Sequence, residues 1–163
     1  MRVVVADTTP IRYLAEIDHL DLLPQLFATI HIPTLVYQEL QNPSTPPHVR
    51  RQLATIPSWL LIAPEAPISD PGLLVLDEGE RAALTLGLAI HADLILIDER
   101  KGTAAAVERG FETTGTLGIL MRAAHLDLVD LEDSFNRLKA TTFRYNKGML
   151  TALLAQYKET RKP

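Results

Sequence analysis

Four acidic residues stand where a carboxylate can do chemistry. Asp7 closes the apolar run Val3-Val4-Val5-Ala6, and Asp98 closes Leu94-Ile95-Leu96-Ile97. An apolar run without alternation reads as a strand buried on both faces, as in parallel sheets. If both strands lie parallel in one sheet, both carboxylates leave it at the same edge, where sites in such sheets form. Each could instead mark the point where a strand meets water, or cap the helix that follows. Glu39, in Pro33-Thr34-Leu35-Val36-Tyr37-Gln38-Glu39-Leu40, lies four after Leu35 and three after Val36. Those spacings put it on the apolar face of a helix, where an unpaired carboxylate is costly. The alternative is a glutamate at the edge of that face with its head group in solvent. Glu80 fits a capping box in Asp77-Glu78-Gly79-Glu80, and it also shares a face with Ala83, Leu84 and Gly87, small residues that let a helix approach a sheet closely.

If these four converge, each pair of charges about 4 Å apart repels by roughly 4 kcal/mol at an effective dielectric near 20. Such a cluster must take up protons or cations. Oxygen ligands with no cysteine and no spaced histidine pair select hard cations, magnesium or manganese, over zinc. Carboxylate-held magnesium is a means of hydrolysing phosphodiesters. Arg100 and Lys101 follow Asp98 directly and could hold substrate phosphates, or simply form surface ion pairs. Arg12 and Arg81, just past Asp7 and Glu80, face the same choice. Gly115-Thr116-Leu117-Gly118 is neither a dinucleotide fingerprint nor a P-loop; it reads as a close helix–strand crossing with Thr116 as a cap or outer donor. His19, His31, His48, His91 and His125 show no ligand spacing, and Tyr13, Trp59 and Phe111 form no base-stacking stripe.

The elements that must position these residues follow from the pattern along the chain. A strand over Val3–Asp7 precedes a helix opened by Thr8-Thr9-Pro10, with Thr9 as cap and proline at the first helical position. Further helices are expected over Leu20–Phe27, from Pro33 to about Gln41, from Thr45-Pro46-Pro47 to about Thr55, from Asp77 to about His91, from about Lys101 to Arg109 and from Thr116 to about His125. Strands are expected at Thr29–Ile32, Trp59–Ala63, Asp93–Asp98 and Phe111–Thr114. Asp130–Lys139 and Lys147–Lys158 read as two amphipathic helices. Apolar strands alternating with helices imply βαβ units and a parallel sheet covered on both faces. The expected fold is a single α/β domain over residues 1–163, a three-layer α/β/α sandwich with a central parallel sheet and two C-terminal helices, about 130–158, packed on it.

Composition bounds the function. The chain has 163 residues, 47% hydrophobic, with 16 basic and 20 acidic residues and no cysteine. Its length suits one ordinary domain, and the hydrophobic and charged fractions are those of a folded protein. Without cysteine, disulfide frameworks, iron–sulfur sites and thiol nucleophiles are excluded. The longest stretch free of Asp, Glu, Lys and Arg, Leu22–Gln38, holds 17 residues and is broken by Pro24 and Pro33, so no spanning helix and no membrane partner is expected. With only Val3–Ala6 as an N-terminal apolar run, no signal peptide is expected either, and the location expected is the cytoplasm. The net charge of −4 argues against a protein that binds nucleic acid through a broadly basic surface.

The motifs, taken in order, resemble the PIN-domain family. They are Asp7 after an apolar first strand with Thr8 behind it, Glu39 in a helix after Ile32-Pro33, the helix start Leu76-Asp77-Glu78-Gly79-Glu80, the strand ending in Asp98-Glu99-Arg100, and Thr114-Gly115-Thr116-Leu117-Gly118-Ile119-Leu120. More narrowly, the chain is similar to the PIN-like subfamily labelled predicted nucleic-acid-binding protein, related to the VapC toxins of toxin–antitoxin pairs. The resemblance implies a magnesium- or manganese-dependent endoribonuclease acting on single-stranded RNA. Asp7, Glu39, Glu80 and Asp98 would be its acidic metal-binding and catalytic quartet, Glu99 a secondary ligand where the family often has a second aspartate, and Thr8 a supporting hydroxyl near substrate. It further implies a cognate antitoxin and a homodimer. A catalytically silent RNA-binding or regulatory member is the alternative, and Asp7→Asn in a nuclease assay separates the two. A phosphoryl-accepting receiver is disfavoured because the first strand ends in one acid rather than two.

Overall fold

The computed structural model describes residues 2–163. Five strands make one sheet: β1 (Val4–Ala6), β2 (Ile30–Pro33), β3 (Leu60–Ala63), β4 (Leu94–Leu96) and β5 (Glu112–Thr114), in the order β3-β2-β1-β4-β5. All four pairings are parallel, with Val5 opposite both His31 and Ile95, Ile30 opposite Leu60, and Leu94 opposite Glu112. The two innermost runs, Val4–Ala6 and Leu94–Leu96, are buried throughout, as expected of strands with helices on both faces.

The chain between the strands is helical. Between β1 and β2 lie α1 (Thr8–Glu16) and α2 (Leu22–Phe27); between β2 and β3, α3 (Thr34–Leu40) and α4 (Pro47–Ala54). After β3 the chain runs through a short 3₁₀ turn, Pro71–Val75, into α5 (Glu78–Ala89) and crosses back to the far side of β1 to form β4; α6 (Arg100–Glu108) then leads to β5. The direction of winding therefore reverses between β1 and β4, the place where open parallel sheets form their crevice. Asp7 and Asp98 follow those two strands.

Sequence expectations shift at several helix starts, among them that of α2, at Leu22 rather than Leu20. α1 begins at Thr8 with Asp7 at the N-cap position, so Thr9 is inside the helix rather than capping it, and Pro10 uses a position whose N–H needs no intrahelical partner. α4 starts at Pro47; the expected cap Thr45 is buried and donates its hydroxyl to the Glu39 carbonyl at 2.8 Å, tying down the end of α3. The helix expected after Asp98 starts one residue earlier, at Arg100. It ends at Glu108, and Gly110 just beyond has a φ of +87°, one that side-chain-bearing residues rarely adopt.

α5 lies on a core of Val5, Leu73, Leu76, Ala83, Leu84, Leu86, Ile95, Ile97, Ala106 and Phe111. The small residues on its face do what their size suggests. A β-carbon at Gly87 would come within 2.8 Å of Ile95 Cδ1 and 3.3 Å of the Phe111 ring, so the helix sits as near β4 as the backbone allows.

The chain forms two compact units, the first ending at Thr116 and the second Leu117–Pro163. The second holds most of α7 (Thr116–His125), α8 (Leu131–Lys139) and α9 (Lys147–Thr160). Within it, Asp130 and Asn146 cap α8 and α9 by accepting from the Asp133 and Met149 amides. Tyr157 reaches from α9 to the Ala124 carbonyl at 3.2 Å. No helix among the described residues is long and apolar enough to cross a membrane.

Candidate active site

Asp7 leaves β1 with its backbone amide donating to the Leu96 carbonyl at 2.9 Å, which locks the end of β1 to β4. Although it occupies the N-cap position of α1, its side chain makes no capping hydrogen bond. The carboxylate is only 4% exposed. Burial is the main cause that pushes its pKa up to about 7; the Thr8 amide pulls the other way, and the charges of Asp77, Glu39 and Glu80 add to the rise.

Glu39 is half-buried near the end of α3. Its Oε2 accepts the Thr8 hydroxyl, so the threonine after Asp7 joins the first two acids of the set. Burial raises the Glu39 pKa, opposed by the Thr8 hydroxyl and reinforced by the charges of Asp77 and Glu78.

Glu80 is both a capping residue and a member of the cluster. Asp77 Oδ1 accepts from the Glu80 amide at 2.9 Å, and Glu80 Oε2 accepts from the Asp77 amide at 3.3 Å, a complete capping box. Yet the Glu80 side chain is buried, 5% exposed, whereas a glutamate needed only for a cap could lie in water. Burial pushes its pKa up to about 7, and the charges of Asp77 and Glu99 add to the rise.

Asp98 is held by one residue twice: Thr116 donates its backbone N–H at 2.8 Å and its hydroxyl at 2.7 Å to the two carboxylate oxygens. Thr116 is fully buried. Burial still leaves the Asp98 pKa raised, despite both hydrogen bonds, with the Glu99 charge adding to it.

Asp7, Glu39 and Glu80 thus share one electrostatic environment, while Asp98 is linked to it through Glu99, whose charge acts on both Glu80 and Asp98. Glu99 itself is exposed and makes no capping bond at the start of α6. Asp77 is a fifth carboxylate in the group. The sequence marks it only as a cap, and the signal that it does more is its spacing, three residues before an inward-facing glutamate. Thr8, expected as a supporting hydroxyl near substrate, and Thr116, expected as a cap or outer donor, each spend their hydroxyl on a carboxylate. Arg100 and Lys101 are exposed on the first turn of α6, and neither forms an ion pair among the described residues. Arg12 instead pairs with Glu16 at 3.9 Å, and Arg81 donates to the Leu76 carbonyl at 3.3 Å.

No Arg, Lys or His among the described residues forms an ion pair with Asp7, Glu39, Glu80 or Asp98. Buried carboxylates without a cationic side chain, offering only oxygen, fit a hard divalent cation. The fit is one of donor chemistry, since no three His, Asp or Glu side chains among the described residues close on a common point.

A family profile described as DUF3368: PIN domain matches residues 3–159, and no curated protein matches the sequence. The chain belongs to the PIN-domain family. The match spans nearly the whole chain, and the five-stranded parallel sheet flanked by helices is the architecture expected of it. PIN domains are generally nucleases and typically use divalent metal ions. Within that frame the acids at the β1 and β4 ends, and those brought beside them by α3 and α5, are the candidate active site of this PIN domain.

Proposed function

We propose that this PIN domain is a magnesium- or manganese-dependent endoribonuclease that cleaves single-stranded RNA, and that it is the toxin of a toxin–antitoxin pair, working in the cytoplasm as a homodimer. The observation that carries the nuclease reading is the set of four carboxylates at the reversal point of the sheet, two of them buried, none neutralised by a base of the protein. Asp7, Glu39, Glu80 and Asp98 would hold the cation, with Glu99 as a secondary ligand. A bound divalent ion would supply an activated water and positive charge beside the scissile phosphate. Thr8 and Thr116 fix the orientation of Glu39 and Asp98, so the oxygens are arranged before substrate arrives. Arg100 and Lys101, exposed on the first turn of α6, supply positive charge for the phosphates on either side of the cleaved bond. Toxin function and the antitoxin partner rest on the resemblance of the motifs to those of VapC toxins alone, and an adjacent small reading frame whose product blocks activity is their test.

Glu80 favours a second reading through the capping box it completes: a silent member in which α5 keeps the glutamate for its own stability. Cleavage assays on single-stranded RNA with magnesium or manganese, comparing wild type with Asp7→Asn, decide between the two. The nuclease reading expects cleavage only by wild type and only with metal. Equal activity in both proteins overturns the nuclease reading, and none in either favours the silent one.

A further inference from the structure

Gly79 stands at the second helical position of α5, pressed onto Glu39. A β-carbon there would lie 2.7 and 2.8 Å from the two carboxylate oxygens of Glu39 and 3.1 Å from its carboxyl carbon. Those three are the nearest atoms it would meet. The backbone at Gly79 is helical and its φ is not in the left-handed region, so local conformation does not call for glycine; alanine is the better helix former. What a side chain would meet is the carboxylate, which would have to shift to admit it. Two other acids of the set are placed likewise, Asp98 Oδ1 at 2.5 Å from a β-carbon on Gly115 and Glu80 Oε1 at 3.2 Å from one on Gly102. At those two positions other atoms intrude as well, the Ile97 carbonyl at 3.2 Å and Ile97 Cδ1 at 2.5 Å respectively, so Gly79 is the clean case.

We propose that Gly79 is a positioning residue for Glu39: by presenting no side chain it lets the Glu39 carboxylate stand against the first turn of α5 while accepting the Thr8 hydroxyl. A methyl at position 79 displaces that carboxylate from Thr8 and from the place where it completes the acidic set. The metal-binding consequence rests on the nuclease reading above; the contact itself does not.

The test is a double-variant cycle of wild type, Gly79→Ala, Glu39→Ala and the two combined. It is read as melting temperature in EDTA and as Mn²⁺ affinity by titration calorimetry. In EDTA, Gly79→Ala should give no gain in melting temperature in the wild-type background, where the methyl meets the carboxylate. In the Glu39→Ala background it should raise the melting temperature by a few degrees, because only the helix preference remains. Mn²⁺ affinity should fall about tenfold in Gly79→Ala, as when a group that orients a ligand is disturbed, and Gly79→Ala should add nothing further in the Glu39→Ala background. The same change in melting temperature in both backgrounds overturns the proposal. So does a combined variant that fails to fold where Glu39→Ala folds, since alanine would then clash with something other than Glu39. Coupling in the EDTA melts together with a wild type that binds no Mn²⁺ leaves Gly79 as the positioner of Glu39 and overturns the nuclease reading. Independent melts with intact Mn²⁺ binding do the reverse.

Discussion

The acids of the second compact unit and those at the strand ends of the first are the same side chains put to opposite use. The second unit, Leu117–Pro163, has five: Asp127 pairs with Arg161, Glu132 with Lys158, Asp133 with Arg137, Glu159 with Lys162, and Asp130 caps α8. Those partners are nearby in sequence or on a neighbouring helix, and the paired carboxylates are all more than half exposed. In the first unit, Asp7 at the end of β1 and Glu80 in the first turn of α5 are buried and no base answers them. An exposed acid with a nearby base needs no explanation beyond solvation. A buried acid without one stays costly until a proton or a cation arrives. Removing the quartet from the acidic count leaves 20 − 4 = 16 acids against 16 bases, a balance that removing any four acids would give, so overall acidity is compatible with handling RNA without locating the site.

The difference breaks most visibly in activity. Asp98→Asn or Asp7→Asn should lower metal-dependent cleavage of single-stranded RNA by about a thousandfold, the several kcal/mol that a correctly held ion contributes. Asp133→Asn, in the paired set, should leave the rate unchanged. Comparable losses from both kinds of substitution would mean that the strand-end acids act through stability alone.

Next comes the pH dependence of stability without metal. The Asp7 pKa stands at about 7 against an ordinary 3.8. Between those values the folded protein keeps a proton that the unfolded chain has released, so stability from this group is full below about pH 4 and is lost as pH rises towards 7. A separation of about 3 pH units corresponds to at most ~4 kcal/mol. Glu80, also raised to about 7, acts with the same sign. Urea melts in EDTA at pH 5 and pH 8 should therefore show wild type weaker at pH 8, and Asp7→Asn should lose much of that difference. Magnesium or manganese, which binds the deprotonated acids, should restore wild type at pH 8 and raise its melting temperature more than that of Asp98→Asn. Parallel behaviour of wild type and Asp7→Asn, or an equal metal-induced rise in wild type and Asp98→Asn, would remove the electrostatic basis of the comparison.

A smaller effect sharpens the description of how the acids are held. Thr116→Val keeps the shape of a buried side chain and the amide that Asp98 accepts from, and removes the hydroxyl. Manganese affinity should fall about tenfold, in the range typical of outer groups that orient a ligand, with the fold retained by circular dichroism. Unchanged affinity would assign the orientation of Asp98 to the backbone amide alone.

How much of this was legible in the sequence depends on whether a contact is local. The strands around Val4–Ala6 and Leu94–Leu96 could be read because unbroken apolar runs have one economical placement, the middle of a parallel sheet. The capping box at Asp77 and Glu80 is a spacing within one turn, and it forms as read. The Thr8 hydroxyl on Glu39 crosses 31 positions, and the double hold of Thr116 on Asp98 crosses 18. Nothing in the neighbourhood of either residue announces them. Thr45 looks like a helix cap because threonine before proline usually is one; the end of α3 claims its hydroxyl first. Gly87, small on a helix face, could be read as a close approach to the sheet, whereas Gly79 carries no such signal because the carboxylate it abuts comes from another element.

The smallest expected effect belongs to the second unit. Glu132→Gln removes one side of the 3.5 Å pair with Lys158 that links α8 to α9, both side chains more than half exposed. Water already solvates both charges, and holding two long side chains together costs entropy, so the substitution should change stability by no more than about 0.5 kcal/mol. Even that should vanish in 1 M salt, where the screening length shrinks to about 3 Å. The pH dependence of metal-free wild-type stability, and its reduction in Asp7→Asn, should persist in the same salt, because burial rather than a distant charge is the main cause of the Asp7 shift. Chemical melts of both variants at low and high salt make the comparison directly. A Glu132→Gln loss as large as the Asp7→Asn change, and equally resistant to salt, would show that pairing and exposure do not separate the two groups of acids.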